Sequence, residues 1–178
     1  MSTFSVVEQV SEPFGGESIG IDRVSARAFT IPTVQPESDG TLEWKSTTLV
    51  AVELRAGGVT AFGYSYTDAA AATLINGALR PLLDGANVVE HPRLLRECLE
   101  RVRNLGQGGT VAMAISAVDA ALWDLKGRLL GLPVAAMLGV ARPEVEVYGS
   151  GGFTSLSTDG LVEQLTGWTE QGIRRVKM

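Results

Sequence analysis

Three periods of hydrophobicity follow one another along the chain, and each predicts a different kind of element. From Ile19 to Ile31 apolar and small residues alternate loosely with polar ones (Ile19, Ile21, Val24, Ala26, Ala28), the period of a strand. Thr47–Leu54 is rich in β-branched residues, and Val59–Tyr66 alternates again. Gly57-Gly58 between these two runs is a two-residue hairpin turn. Pro32 to Gly40, with Pro32, Pro36, Asp39 and Gly40, predicts a loop. Past a ragged leader (1–18, with Pro13, Gly15 and Gly16), the first sixty-odd residues of the chain are therefore expected to form a three-stranded antiparallel meander.

Helical spacing takes over at Asp68, which can cap a helix through Ala69–Leu83 that ends at Asp84-Gly85. A second helix starts around Pro92 and carries Leu94, Leu95, Cys98, Leu99 and Val102 on one face. Gly106, Gly108 and Gly109 break the pattern. The longest helix is expected from about Thr110 to Leu130, with a stripe of Ile115, Val118, Leu122, Leu125 and Leu129. Ala114, Ala117 and Ala121 beside that stripe would let another element approach closely. Gly131 and Pro133 end the helix.

After Pro143 the period changes again. Val145–Gly149 predicts a short strand, Asp159–Gln171 a helix with Leu161, Leu165 and Trp168 on one face, and Ile173–Met178 a second strand. Strand, helix, strand over 145–178 is one βαβ unit, so the two strands should run parallel with a right-handed crossover. One such unit cannot bury both faces of its sheet, so more strands or a partner chain are expected to cover it.

Composition narrows the function classes. The 178 residues are 45% hydrophobic and 20% charged, ordinary for a globular protein. A net charge of -5 gives no reason to expect nucleic acid or an anionic membrane as a partner. Cys98 is the only cysteine, which rules out an internal disulfide and a four-thiolate zinc site and fits a cytoplasmic location. Met1 to Gly20 lacks a basic start followed by an apolar run, so it is not a secretory signal. No apolar stretch is long enough to cross a bilayer.

The order of meander, helices and parallel β/α unit coincides with one long run. That run is Ala114-Ile-Ser-Ala-Val-Asp-Ala-Ala-Leu-Trp-Asp-Leu-Lys-Gly-Arg-Leu-Leu-Gly-Leu-Pro-Val-Ala-Ala-Met-Leu-Gly139. Together with the closing Gly172-Ile-Arg-Arg-Val-Lys177-Met178, it resembles the mandelate racemase/muconate lactonizing enzyme branch of the enolase superfamily. The resemblance covers about residues 19–178. It implies an α+β capping domain (19–140, junction helix included) followed by the start of a modified (β/α)8 TIM-like barrel (141–178). Such barrels need roughly 250 residues and carry their active sites at the C-terminal ends of the strands.

The chemistry it implies begins with removal of a proton α to a carboxylate. The enediolate so formed needs positive charge as it develops, which this superfamily supplies with magnesium and a Lys or His base. Lys177 matches the first lysine of the family's Lys-x-Lys motif, and its implied role is to contact the substrate carboxylate and tune the second lysine. That second lysine would stand one position past Met178, and the acidic metal ligands would lie on later strands. The expectation is therefore an N-terminal portion that binds no metal in the family manner and is inactive alone. The implied partner is a small carboxylate, an acid sugar first, and the family is often oligomeric. Within the branch a dehydratase is favoured, then a racemase or epimerase, then a cycloisomerase. A non-catalytic capping or interaction module is the rival reading, and a truncated product a third.

Tyr148 and Ser150 would lie at the end of the first barrel strand, where substrate-facing groups belong, although Tyr148 could equally be a packing residue. Gly149-Ser-Gly-Gly152 is rich enough to cradle an anion, but it lacks the lysine and spacing of a P-loop and reads better as a βα turn. Pro32–Gly40 corresponds to the family's mobile capping loop. His91, the only histidine, reads as a surface or helix-capping residue. Cys98 reads as a packed small hydrophobe, Trp123 as a packing residue, and the Arg93–Arg103 helix as a solvated face. Asp119 and Asp124, five apart on a helix, point in different directions and make a poor metal pair.

Overall fold

The computed structural model describes residues 18–178, so the leader assigned to 1–18 lies almost wholly outside the described residues. Strands β1 (Arg23–Ser38), β2 (Glu43–Ala56) and β3 (Val59–Tyr66) form an antiparallel sheet in the order β1-β2-β3. Gly57 and Gly58 turn between β2 and β3 with φ of +54° and +75°, a conformation open chiefly to glycine. One face of the sheet carries Val24, Ala26, Val50, Val52, Leu54 and Ala61 into the core.

Helices close that face: α1 (Ala70–Leu74), a π turn (Ile75–Leu79), α2 (Arg80–Leu83), α3 (His91–Val102) and α4 (Gly109–Leu130). The expected stripe on α4 is buried at Ile115, Val118, Leu122 and Leu125, with Leu129 packed at its margin. The alanines beside it do what their size allows. A Cβ on Gly63 of β3 would overlap Ala117 O and Ala121 N and reach within 3.0 Å of Ala121 Cβ. Strand and helix therefore touch backbone to backbone.

Both sheet edges are tied to helices by polar side chains. Asn76 in the π turn accepts from Ala26 N (3.0 Å) and donates to Ala26 O (2.8 Å) on β1. Asp124 on α4 accepts from Phe62 N on β3 (2.9 Å) and from Arg128 Nε (2.8 Å). Edge backbone groups otherwise left unpaired are thus satisfied inside the fold.

Several expectations need correction. Pro32–Ser38 is strand, not loop: β1 continues beside β2 as a two-stranded ribbon after β3 has ended, with a register shift between Pro32 and Glu37. An edge strand tolerates Pro32 and Pro36 because their missing N–H groups need no partner on the open side. The turn lies at 39–42, where Asp39 Oδ1 accepts from Thr41 N, Thr41 Oγ1 and Leu42 N. Those bonds, the Thr41 hydroxyl first, hold its carboxyl below the usual range.

Ile19 and Ile21 do not extend β1. They bond instead to the 85–88 turn, through Ile21 N to Ala86 O and Val88 N to Ile19 O. The helix expected over 69–83 is interrupted by the π turn, which ends two residues before Pro81, whose ring has no N–H to give to the preceding turn. Asp68 still accepts from Ala70 N at its start (2.8 Å).

His91 is not a surface residue. It is 3% exposed, and its Nε2 lies 2.6 Å from Asp119 Oδ1 on α4. The ring meets Trp123 edge-on at 4.7 Å. Cys98 is buried as expected, and desolvation, with the nearby Glu97 charge second, pushes its thiol up to about 11.

Past Gly131, which adopts the left-handed conformation that ends α4, a short α5 (Val134–Leu138) follows. Then come β4 (Gly149–Ser150), α6 (Thr158–Glu170) and β5 (Val176–Lys177). The strands are parallel as expected, but each pairs over two residues rather than five or six. Ser157 caps α6 by accepting from Gly160 N (3.1 Å). Among the described residues no helix is long and apolar enough to cross a membrane.

Candidate functional site

The pairing of β4 with β5 sets Ser150 directly opposite Lys177 and Gly149 opposite Val176. Gly149 N donates to Arg175 O (2.9 Å), which fixes that register. Residues in register on parallel strands share a face, and neighbours along a strand alternate. The helix-side face belongs to Gly149 and Gly151. A Cβ on Gly149 would overlap the Trp168 ring, and one on Gly151 would come within 2.6 Å of Trp168 Cη2. Tyr148, Ser150 and Lys177 therefore leave the sheet on the side away from α6. All three are exposed. Arg175 is on that side too, ion-paired with Glu146.

The glycine run is accordingly a packing device. Trp168 lies flat over Gly149 and Gly151, and Gln164 Oε1 accepts from Gly152 N (3.0 Å). Any bulkier residue would lift α6 from the strand. An anion cradle would have aimed these N–H groups at solvent, whereas Gly152 N is spent on α6.

The ribbon tip reaches the loop that follows β4. Thr154 N donates to Ser38 O (2.8 Å), Thr154 Oγ1 also donates to Ser38 O (3.1 Å), and the two hydroxyls are in contact. Trp44 stands edge-on to Phe153 with centroids 5.4 Å apart, and its Nε1 donates to Glu37 Oε2 (2.7 Å). The segment expected to act as a capping loop is a two-stranded ribbon whose tip contacts the loop after β4. An open hollow of about 440 Å³ lies at the ribbon's base, lined by Ile31, Pro32, Thr33, Glu37, Thr47 and Tyr66.

Among the predicted site residues, Ser150 and Lys177 are brought together, and Tyr148 joins their face two residues upstream. The His91–Asp119 pair was missed. It is remote in sequence from these residues, and it joins α3 to α4. A signal existed: Asp119 and Trp123 are four apart and share one face of α4, suited to receive a polar aromatic residue. Asp119 and Asp124 do diverge, one to His91 and the other to β3.

Comparison with known proteins adds the following. Residues 27–139 match the profile of the family described as mandelate racemase / muconate lactonizing enzyme, N-terminal domain. A 3,6-anhydro-alpha-L-galactonate cycloisomerase from Streptomyces coelicolor is 34% identical over 89% of this chain and 45% of its own length. An L-talarate/galactarate dehydratase from Salmonella typhimurium is 31% identical over 89% of this chain and 42% of its own. A crystal structure of a mandelate racemase/muconate lactonizing enzyme-like protein from Rubrobacter xylanophilus superposes with a TM-score of 0.85 at 47% identity, covering 89% of this chain and 44% of that one. One of a racemase from Streptomyces coelicolor with bound magnesium gives 0.83 at 33% identity, covering 89% and 46%. The chain spans less than half the length of the relatives it matches.

Proposed function

Because the chain belongs to the mandelate racemase / muconate lactonizing enzyme family, we propose that it is the N-terminal portion of a magnesium-dependent enzyme that removes a proton α to a carboxylate. It supplies the capping domain (19–140) and the first β/α unit (141–178) of a (β/α)8 barrel. Acid-sugar dehydration is the favoured reaction, supported by the resemblance to an L-talarate/galactarate dehydratase. Cycloisomerisation of a sugar acid is the second reading, favoured by the 34% identical relative.

The observation that carries the proposal is the in-register pair Ser150 and Lys177 at the C-terminal end of a parallel strand pair, on the face away from α6. In barrels of this type that end is where substrate binds. The Lys177 ammonium is suited to hold the substrate carboxylate and to lower the pKa of a lysine two positions on by like-charge repulsion. Ser150 is suited to donate a hydrogen bond to the same carboxylate or a neighbouring hydroxyl, and Tyr148 to line the mouth. The ribbon tip, resting on the loop after β4, would limit water entry and select substrates by size.

Magnesium accompanies the racemase relative's structure, which supports a metal requirement for the whole enzyme. Among the described residues no three His, Cys, Asp or Glu side chains gather where an ion could bind. The described residues offer no ligand set of their own for that metal.

The test is exchange of the α-proton in deuterated water, on a panel of C5 and C6 acid sugars, with the gene product read through its full open frame. Magnesium-dependent exchange is expected, with Lys177→Ala reducing it by about 100-fold or more, within the range for losing a charge-stabilising group. Exchange that ignores both EDTA and Lys177→Ala would remove the proposal.

A further inference from the structure

We propose that Asn76-Gly77 in the π turn is a deamidation site that the fold holds inert, and that its reaction in the opened chain blocks return of the native contact. Packing does not account for glycine at 77. A Cβ built there meets nothing within 4 Å, and the residue is not among the glycines of positive φ. Neither crowding nor a left-handed turn therefore calls for it, and glycine inside a helical segment costs stability relative to alanine. What it supplies is chemical. With no Cβ beside it, the Gly77 nitrogen is open to react with the preceding side chain, and asparagine is one of the thermolabile residues. The other asparagines, Asn87 and Asn104, precede Val88 and Leu105, whose side chains crowd the corresponding nitrogen.

The reaction needs only water as co-reactant. The Gly77 backbone nitrogen gives up its proton to base and attacks Asn76 Cγ. A C–N bond forms, the Cγ–Nδ2 bond breaks, and the side-chain nitrogen leaves as ammonia. Water then opens the five-membered imide at either carbonyl, leaving aspartate or isoaspartate. In the folded chain the side-chain amide that must swing onto Gly77 is held elsewhere. Asn76 Oδ1 accepts from Ala26 N (3.0 Å) and Nδ2 donates to Ala26 O (2.8 Å), on a strand 50 positions away. Both bonds must open before Cγ can reach Gly77 N, so the rate follows the opening equilibrium of this edge.

Neither product can stand in for Asn76. An aspartate keeps an acceptor for Ala26 N but has no donor for Ala26 O, and it sets its charge against that carbonyl. Isoaspartate adds a methylene to the backbone inside the turn. The contact so lost is the one that ties the β1 edge to the helices covering the sheet. Ile75 and Leu79, both fully buried, flank the pair in the same turn and depend on its geometry. An opening of this region is thus recorded once and not undone.

Peptide mass mapping over time at mildly alkaline pH, in buffer and in guanidinium, tests the proposal on the whole chain. The wild type is expected to gain one dalton at Asn76 at least about 10-fold faster in guanidinium than in buffer, and ahead of Asn87 and Asn104. Gly77→Ala is expected to slow that gain several-fold. On dilution from guanidinium, the fraction of wild type that refolds should fall as the gain at Asn76 rises, while Gly77→Ala keeps refolding. Asn76→Asp, made directly, should lower the urea midpoint. Equal rates at Asn76 in buffer and in guanidinium overturn the inference. So does refolding lost equally by wild type and Gly77→Ala, or an Asn76→Asp midpoint equal to that of the wild type.

Discussion

The backbone N–H of Thr154 donates to the carbonyl oxygen of Ser38 at 2.8 Å, joining two residues 116 positions apart. Through this bond the tip of the β1–β2 ribbon is held to the loop after β4. Phe153 and Trp44 flank it as an edge-on pair. Phe153→Ala removes the ring, worth about 0.5–1.5 kcal/mol beyond its buried area. The Thr154 amide is then expected to exchange with solvent at least several-fold faster. The Thr41 amide, bonded locally to Asp39, should keep its rate. Equal protection of Thr154 in both proteins would show that the ribbon is held by something else.

Gly63 and Gly77 make opposite predictions for the same substitution. Gly63→Ala drives a methyl group into the backbone of α4 at Ala117 and Ala121 and should cost about 3 kcal/mol or more. Gly77 has nothing within 4 Å of a built Cβ and a negative φ, so Gly77→Ala should be neutral or stabilise by about 0.5–1 kcal/mol. Urea unfolding midpoints decide both, and a mild Gly63→Ala would contradict the close strand–helix contact.

His91 and Asp119 link the start of α3 to the middle of α4. Removing the buried ring by His91→Ala should destabilise by about 2–4 kcal/mol, from lost packing against Trp123 and an unpaired carboxylate. A double-mutant cycle with Asp119→Ala is expected to give a coupling of about 1 kcal/mol or more. Additive effects would mean that the 2.6 Å contact contributes nothing of its own.

Cys98 makes stability fall at high pH. Its thiol is pushed up to about 11 in the folded chain, against 9.0 for the ordinary value. Between these values the unfolded chain releases a proton that the folded chain keeps, so unfolding is favoured as pH rises. The full effect is on the order of 2 kcal/mol. Cys98→Ala should flatten the slope between pH 9 and 11 in guanidinium titrations. For the same reason the native thiol should resist disulfide reagents at pH 8 until the protein unfolds.

How much was legible in the sequence varies by element. The Gly57-Gly58 hairpin and the α4 stripe follow from local rules: a left-handed turn requires glycine, and a 3.6-residue period buries one face of a helix. The parallel βαβ unit was legible for the same reason. Its strands shrank to two residues each because pairing length depends on neighbours, not on propensity. Pro32 and Pro36 suggested a loop because proline usually ends strands, yet an edge ribbon has no use for their N–H groups. His91 was misjudged because a histidine before proline at a helix start is ordinarily solvated. Asp119 and Trp123, distant in the sequence, meet it in the fold.

The sequence by itself determined the layer order, the identity of the core face and the resemblance that points to chemistry at Lys177. Those depend on periodicity and on residue types near one another in the chain. Only the tertiary structure decided that Ser150 stands opposite Lys177, that Trp168 accounts for Gly149 and Gly151, and that Ser38 meets Thr154. These are contacts between separate elements, set by how helices and strands pack, and no local period encodes them.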